Sequence, residues 1–169
     1  SAAGVATLEF SSGTLSGTGE LTVTNAMNWT GGTISGAGTL VIPASGSLVL
    51  SGANGKRLQN GWTMLVTGPT TWSGAGDIEF FGGCTWNNAG TFEAQNNQFF
   101  NYLNSGAVMV FNNTGTFVKS AGAGTTTVEA VFDNSGAVTV QSGTVALNGG
   151  GVSSGNFNVS AAATLAFAG

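Results

Sequence analysis

Apolar residues along this chain arrive in pairs two positions apart, and a glycine leads each pair. Leu21 and Val23 follow Gly19, Leu40 and Ile42 follow Gly38, and Leu48 and Leu50 follow Gly46. The phrase returns as Gly76 with Ile78 and Phe80, Gly106 with Val108 and Val110, and Gly136 with Val138 and Val140. It returns again as Gly143 with Val145 and Leu147, and as Gly155 with Phe157 and Val159. A turn followed by period-two alternation predicts a short strand with one buried face. Many such strands in tandem predict a solenoid, because one repeat cannot bury its own interior and must stack on its neighbours.

The spacing of the copies predicts the coil. Gly13–Val23 and Gly32–Ile42 align with Gly17 on Gly36, 19 residues apart, and Gly136 and Gly155 show the same spacing. The expected fold is all-β: a single right-handed parallel β-helix with coils of about 19 residues and no substantial helix. Glycine is too frequent for helix, and nothing recurs at three-four spacing. One solenoid domain spans 1–169. Residues 53–61 break the phrase and predict a diverged or looped coil, and residues 120–127 predict a loop. Lys119 stands where its copy needs a second apolar residue, so that strand is expected to end early.

After Trp86 the phrase changes to Asn, small residue, Gly, any residue, apolar. The copies are Asn88–Phe92, Asn104–Val108, Asn113–Phe117 and Asn134–Val138. Asn and Gly tolerate positive φ and suit a tight corner. Asparagines at one corner of successive coils are expected to stack as an amide ladder.

Composition narrows the function classes. Only 6% of residues are charged and the net charge is -4, with Lys56, Arg57 and Lys119 the only cations. That argues against nucleic acid as a partner. No apolar run is long enough for a membrane helix, so no membrane span is expected. There is no histidine and one cysteine, Cys84, read as a small buried apolar residue. The seven acids are Glu9, Glu20, Asp77, Glu79, Glu93, Glu129 and Asp133. Asp77 and Glu79 share a strand face and could hold calcium or act on sugars, but they read more simply as an outward surface. No catalytic, cofactor-binding or metal site is expected, and the chain is not expected to be an enzyme.

Trp29, Trp62, Trp72 and Trp86 could form a platform for sugars, but Trp29, Trp72 and Trp86 each sit near a repeat glycine, so core filling or corner packing is the favoured reading. Phe99, Phe100 and Tyr102 lie within four residues and cannot all face inward from one strand. They are the candidate exposed aromatic contact. The first copy carries Val5, Leu8 and Phe10, and the last carries Leu165 and Phe167. These apolar ends are the candidate self-association surfaces, with a second copy as the expected partner in an axial homopolymer.

Phe111–Ser120, together with Phe132–Leu147, resembles repeats of large secreted bacterial β-solenoids, the filamentous-haemagglutinin and autotransporter-passenger adhesins. The resemblance is one of repeat grammar and carries no catalytic residue. It implies an extracellular or cell-surface setting, a structural or adhesive role, and cell-surface or glycan ligands as further candidate partners.

Overall fold

A computed structural model describes residues 3–103 and 106–168, and it is a parallel β-solenoid of about eight turns with no helix among those residues. Most coils supply one short strand to each of three faces. The first face holds β5 (Thr39–Ile42), β8 (Thr63–Val66), β11 (Thr85–Asn88), β14 (Val110–Asn113) and β17 (Val131–Asn134). The second holds β6 (Ser47–Leu50), β9 (Thr70–Trp72), β12 (Thr91–Ala94), β15 (Thr116–Lys119), β18 (Ala137–Val140) and β20 (Asn156–Val159). The third holds β2 (Thr14–Ser16), β4 (Gly32–Ser35), β7 (Lys56–Gln59), β10 (Ile78–Phe81), β13 (Phe99–Tyr102), β16 (Thr125–Val128), β19 (Thr144–Leu147) and β21 (Thr164–Phe167). Two longer strands, β1 (Ala3–Phe10) and β3 (Glu20–Trp29), turn the corner between the first two faces. β3 pairs with β5 through Glu20–Thr22 and with β6 through Ala26–Trp29, which joins those faces into one sheet.

Successive coils lie about 21 residues apart rather than 19. The 19-residue spacing holds near the ends, where Thr14 pairs with Thr33 and Ala137 with Asn156. In the middle it stretches: Thr39 pairs with Thr63, Thr85 with Val110 and Phe99 with Thr127. The extra residues sit in the corners and leave the strands short. Residues 53–61 supply a regular strand, β7, in register with β4 and β10. Thr125–Val128 is a strand as well, so only the stretch before it is irregular. β15 runs through Lys119 rather than ending before it.

Alternate residues point inward and form one continuous core. It is mostly aliphatic in the early coils, with Ile34, Leu40, Ile42, Leu48, Leu50 and Leu58 beside Trp29 and Trp62. In the later coils it becomes aromatic. Trp86, Phe111 and Phe132 stack in one column, and Phe92 stacks on Phe117 in the next at 5.3 Å. Rings of the two columns meet edge to face, as Phe111 does with Phe92 and Phe117. Burying each such side chain stabilises the fold by about 1.5–3 kcal/mol.

The repeat glycines gain a reason that the sequence did not supply. Gly46, Gly68, Gly90, Gly115, Gly136 and Gly155 form a column at the corner between the first and second faces, and none has a positive φ. From Gly68 onward, a Cβ at each would collide with the carbonyl oxygen of the glycine one coil below. That carbonyl accepts the amide of the residue after the next glycine: Thr116 N–H donates to Gly90 O at 2.9 Å and Ala137 N–H to Gly115 O at 2.9 Å. Close approach, not backbone handedness, selects glycine here.

The amide ladder runs beside this column, inside the protein. Asn88 Nδ2 donates to Asn113 Oδ1 at 2.8 Å, Asn113 Nδ2 to Asn134 Oδ1 at 2.8 Å, and Asn134 Nδ2 to Ser153 Oγ at 3.1 Å. Each of the first two amides also crosses the corner, to Thr116 O at 3.1 Å and Ala137 O at 3.0 Å. The same inward column is apolar in earlier coils, ending in Val66, which pairs with Asn88. Asn88 Oδ1 therefore has a neighbour on that side that cannot donate, and among the described residues it has no hydrogen-bond partner. Asn104 lies outside the described residues. Replacing Asn113 with Ala should cost about 2–4 kcal/mol, because it strands buried groups on both sides; a chemical denaturation midpoint measures this.

Candidate functional site

The seven acids are not gathered into a reactive cluster; each accepts a hydrogen bond, mostly from another coil. Asn28 Nδ2 donates to Glu9 at 2.6 Å, Ser120 Oγ to Glu93 at 2.5 Å, and the backbone amide of Tyr102 to Glu129 at 2.9 Å. Asp77 accepts from Phe99 N–H at 3.0 Å, Asp133 from Val152 N–H at 2.9 Å, and Glu20 from Thr22 Oγ1 at 3.4 Å. Glu79 is held by Arg57 through Nε at 2.8 Å and Nη2 at 2.6 Å. This pair joins neighbouring strands of the third face, 22 residues apart, and one coil of spacing was the sequence signal for it. The hydrogen bond from Ser120 holds the Glu93 carboxyl below its ordinary pKa.

The aromatic candidates separate. Phe100 is fully buried among Trp72 and Trp86. Tyr102 is half-buried, stacks on Phe80 and donates its hydroxyl to Gly106 O at 2.6 Å. Phe99 alone of the three is exposed, at 45%. All four tryptophans are buried. Cys84 is buried and free, and burial raises its thiol pKa.

Two lysines sit in the interior, where composition alone gave no reason to place them. Lys56 donates to Asn54 O at 2.9 Å, and burial lowers its pKa while Asp77 opposes that. Lys119 donates to Asn96 O at 2.6 Å, Thr126 Oγ1 at 2.9 Å, Ala121 O at 3.1 Å and Asn97 Oδ1 at 3.2 Å. Thr126 Oγ1 donates to the same Asn96 carbonyl at 2.6 Å, and Gly124 N–H donates to Asn97 Oδ1 at 3.0 Å. This network lies where β13 and β16 pair through only Phe99–Thr127 and Phe100–Val128. The side chains tie two coils together where the strand ladder is thinnest.

The self-association candidates lie at the two ends of the column. At one end Val5 is exposed, while Leu8 and Phe10 are half-buried, with the Phe10 ring 6.1 Å from Trp29. At the other, Phe167 is 66% exposed, Val159 44% and Phe157 36%, and Leu165 is half-buried. Phe157 meets Phe167 edge to face at 5.6 Å. These two rings and Phe132, Leu147 and Gly151 line a recess of about 120 Å³ at the mouth of the core. Among the described residues, β1 and β2 pair only with β3 and β4, and β20 and β21 only with β18 and β19. Both ends therefore present unpaired strand edges around apolar side chains, the arrangement that favours adding further strands.

A second surface is a groove of about 520 Å³ on the first face. Asn87, Asn112 and Asp133 run up its wall, with Asn112 Nδ2 donating to Asn87 Oδ1 at 2.8 Å. No protein-family model, curated protein or solved structure matches the chain.

Burial disfavours the charged form of Lys119, which lowers its pKa from the ordinary 10.5. The unfolded chain therefore holds this proton to higher pH than the folded protein, so the Lys119 contribution to stability should rise as pH climbs from the lowered value towards 10.5, while buried Cys84, whose thiol pKa is raised above 9.0, contributes in the opposite direction. Lys119→Ala should reduce that rise, with Lys56 retaining part of it, and should cost about 2–5 kcal/mol at neutral pH. Denaturant midpoints of both proteins at pH 8 and pH 10 check the slope and the loss.

Proposed function

We propose that this chain is a structural subunit of an extracellular assembly, a rigid β-solenoid that associates end to end into a filament or surface layer. The observation that carries this reading is the mouth at β20 and β21. Phe157, Val159 and Phe167 are exposed on strands that contain no charged residue. Edge strands that must stay soluble are usually blunted by charge, proline or a covering loop. A contact between two different ends repeats without closing, and this geometry builds fibres. The scarcity of charge adds little repulsion between copies.

A second reading is a module of a longer bacterial surface adhesin. The same open edges suit further coils of one polypeptide, and the repeat grammar resembles that of secreted adhesins. A third reading, carbohydrate binding, is supported by the amide-lined groove rather than by the tryptophans, which are buried.

Electron micrographs of the purified chain should show rods with an axial repeat of about 40 Å, from eight coils at roughly 4.8 Å each. Phe167→Asp should shorten or abolish them. A protein that stays at its monomer mass of 16.7 kDa in light scattering at high concentration contradicts the filament reading.

A further inference from the structure

The two ends match one another in perimeter and in side-chain order. At the first end the coil spacing is 18 residues from Ala3 to Leu21 and 19 from Thr7 to Ala26 and from Thr14 to Thr33. At the last it is 19 from Ala137 to Asn156 and 20 from Thr144 to Thr164. Interior spacings reach 25 from Thr85 to Val110 and 28 from Phe99 to Thr127. The widest coils are internal, and the end coils are the pair whose perimeters fit.

The second face supplies the register. Its inward columns begin with Leu8 and Phe10 and finish with Phe157 and Val159, so a join there sets apolar on apolar. Its outward column begins with Glu9 and Asn28 and finishes with Thr139 and Asn158. Glu9 Oε1 already accepts from the Asn28 amide, 2.6 Å away in the coil above. Among the described residues, no second hydrogen bond reaches this exposed carboxylate. Asn158 is an exposed amide in that column, at the opposite edge of the protein. No charged residue occurs from 150 to 168 to oppose Glu9.

We propose that copies join head to tail in one register, with β20 of one copy stacked on Thr7–Phe10 of the next and Asn158 donating to Glu9 across the join. The proposal rests on the end-to-end reading and specifies its interface. The contact repeats the Asn–Glu pairing already present between the first two coils, so the solenoid continues from one copy into the next with no change of perimeter.

Cysteine cross-linking tests the register. In a Cys84→Ala background, Glu9→Cys and Asn158→Cys are prepared separately, reduced, mixed and oxidised. Residues stacked in register on parallel strands lie about 4.8 Å apart, within disulfide reach. The mixture should give disulfide-linked dimers at roughly tenfold the yield of either variant alone or of Glu9→Cys mixed with Asn156→Cys, which lies two residues out of register. Circular dichroism confirms that each variant is folded. Preferential linking of Glu9→Cys to itself, or no preference for Asn158→Cys while the parent still scatters as large particles, overturns the register and leaves end-to-end assembly standing. A parent that scatters as a monomer overturns both.

Discussion

Coil meets coil backbone on backbone at the corner between the first and second faces. There each glycine from Gly68 to Gly155 seats against the carbonyl of the glycine beneath it. The hydrogen bonds from Thr116 N–H to Gly90 O and from Ala137 N–H to Gly115 O require that seat. They fix where each coil begins its second strand. Because side chains alternate in and out, a one-residue slip would turn the Phe92–Phe117 stack towards solvent. The aromatic columns and the amide ladder both depend on this corner, since both are read out in the register that it sets.

The chain fastens coil to coil with few ions but uses nearly all of them. Glu9, Glu93, Glu129 and Asp133 each accept a hydrogen bond from a different coil, and Arg57 and Glu79 bridge neighbouring strands. Lys119 does the same work inside, where a buried ammonium is tolerated because four oxygens surround it. Desolvation still disfavours its charge, so the network trades some stability for a fixed corner where β13 and β16 barely overlap. Residues 150–168 carry no charged side chain.

Much of this was legible in the residues, and the rest failed for physical reasons. Period-two alternation behind glycine gave most of the strands and the solenoid, but not at Gly106, where Val108 is exposed and Met109 and Phe111 face inward. The Asn-small-Gly phrase gave the amide ladder for Asn88, Asn113 and Asn134. The coil length came out short because the clearest copies lie near the ends, while corner insertions in the middle carry no periodic signal. Lys119 was misread as a strand terminator, since nothing local announces that Asn96, Asn97 and Thr126 will enclose its ammonium. Phe99 emerged as exposed and Phe100 as buried, which alternation requires, although alternation alone does not say which of the two faces out. Glu9 and Asn158 stand at opposite ends of the sequence, and only the column of stacked strands relates them.

A column whose register is set by backbone contact can be continued by any coil of matching perimeter, whether from the same chain or another copy. The structural role proposed for it follows from that property more than from any single side chain. The measurement that bears most directly on this account compares two glycine-to-alanine variants by thermal or denaturant unfolding. Gly115 lies in the corner column, whereas Gly17 has only the Gly19 amide nitrogen, at an ordinary 4.0 Å, near its missing Cβ and no positive φ. The account predicts that Gly115→Ala loses about 1–3 kcal/mol or more while Gly17→Ala stays within about 0.5 kcal/mol of the parent. Equal stability of the two variants would contradict it.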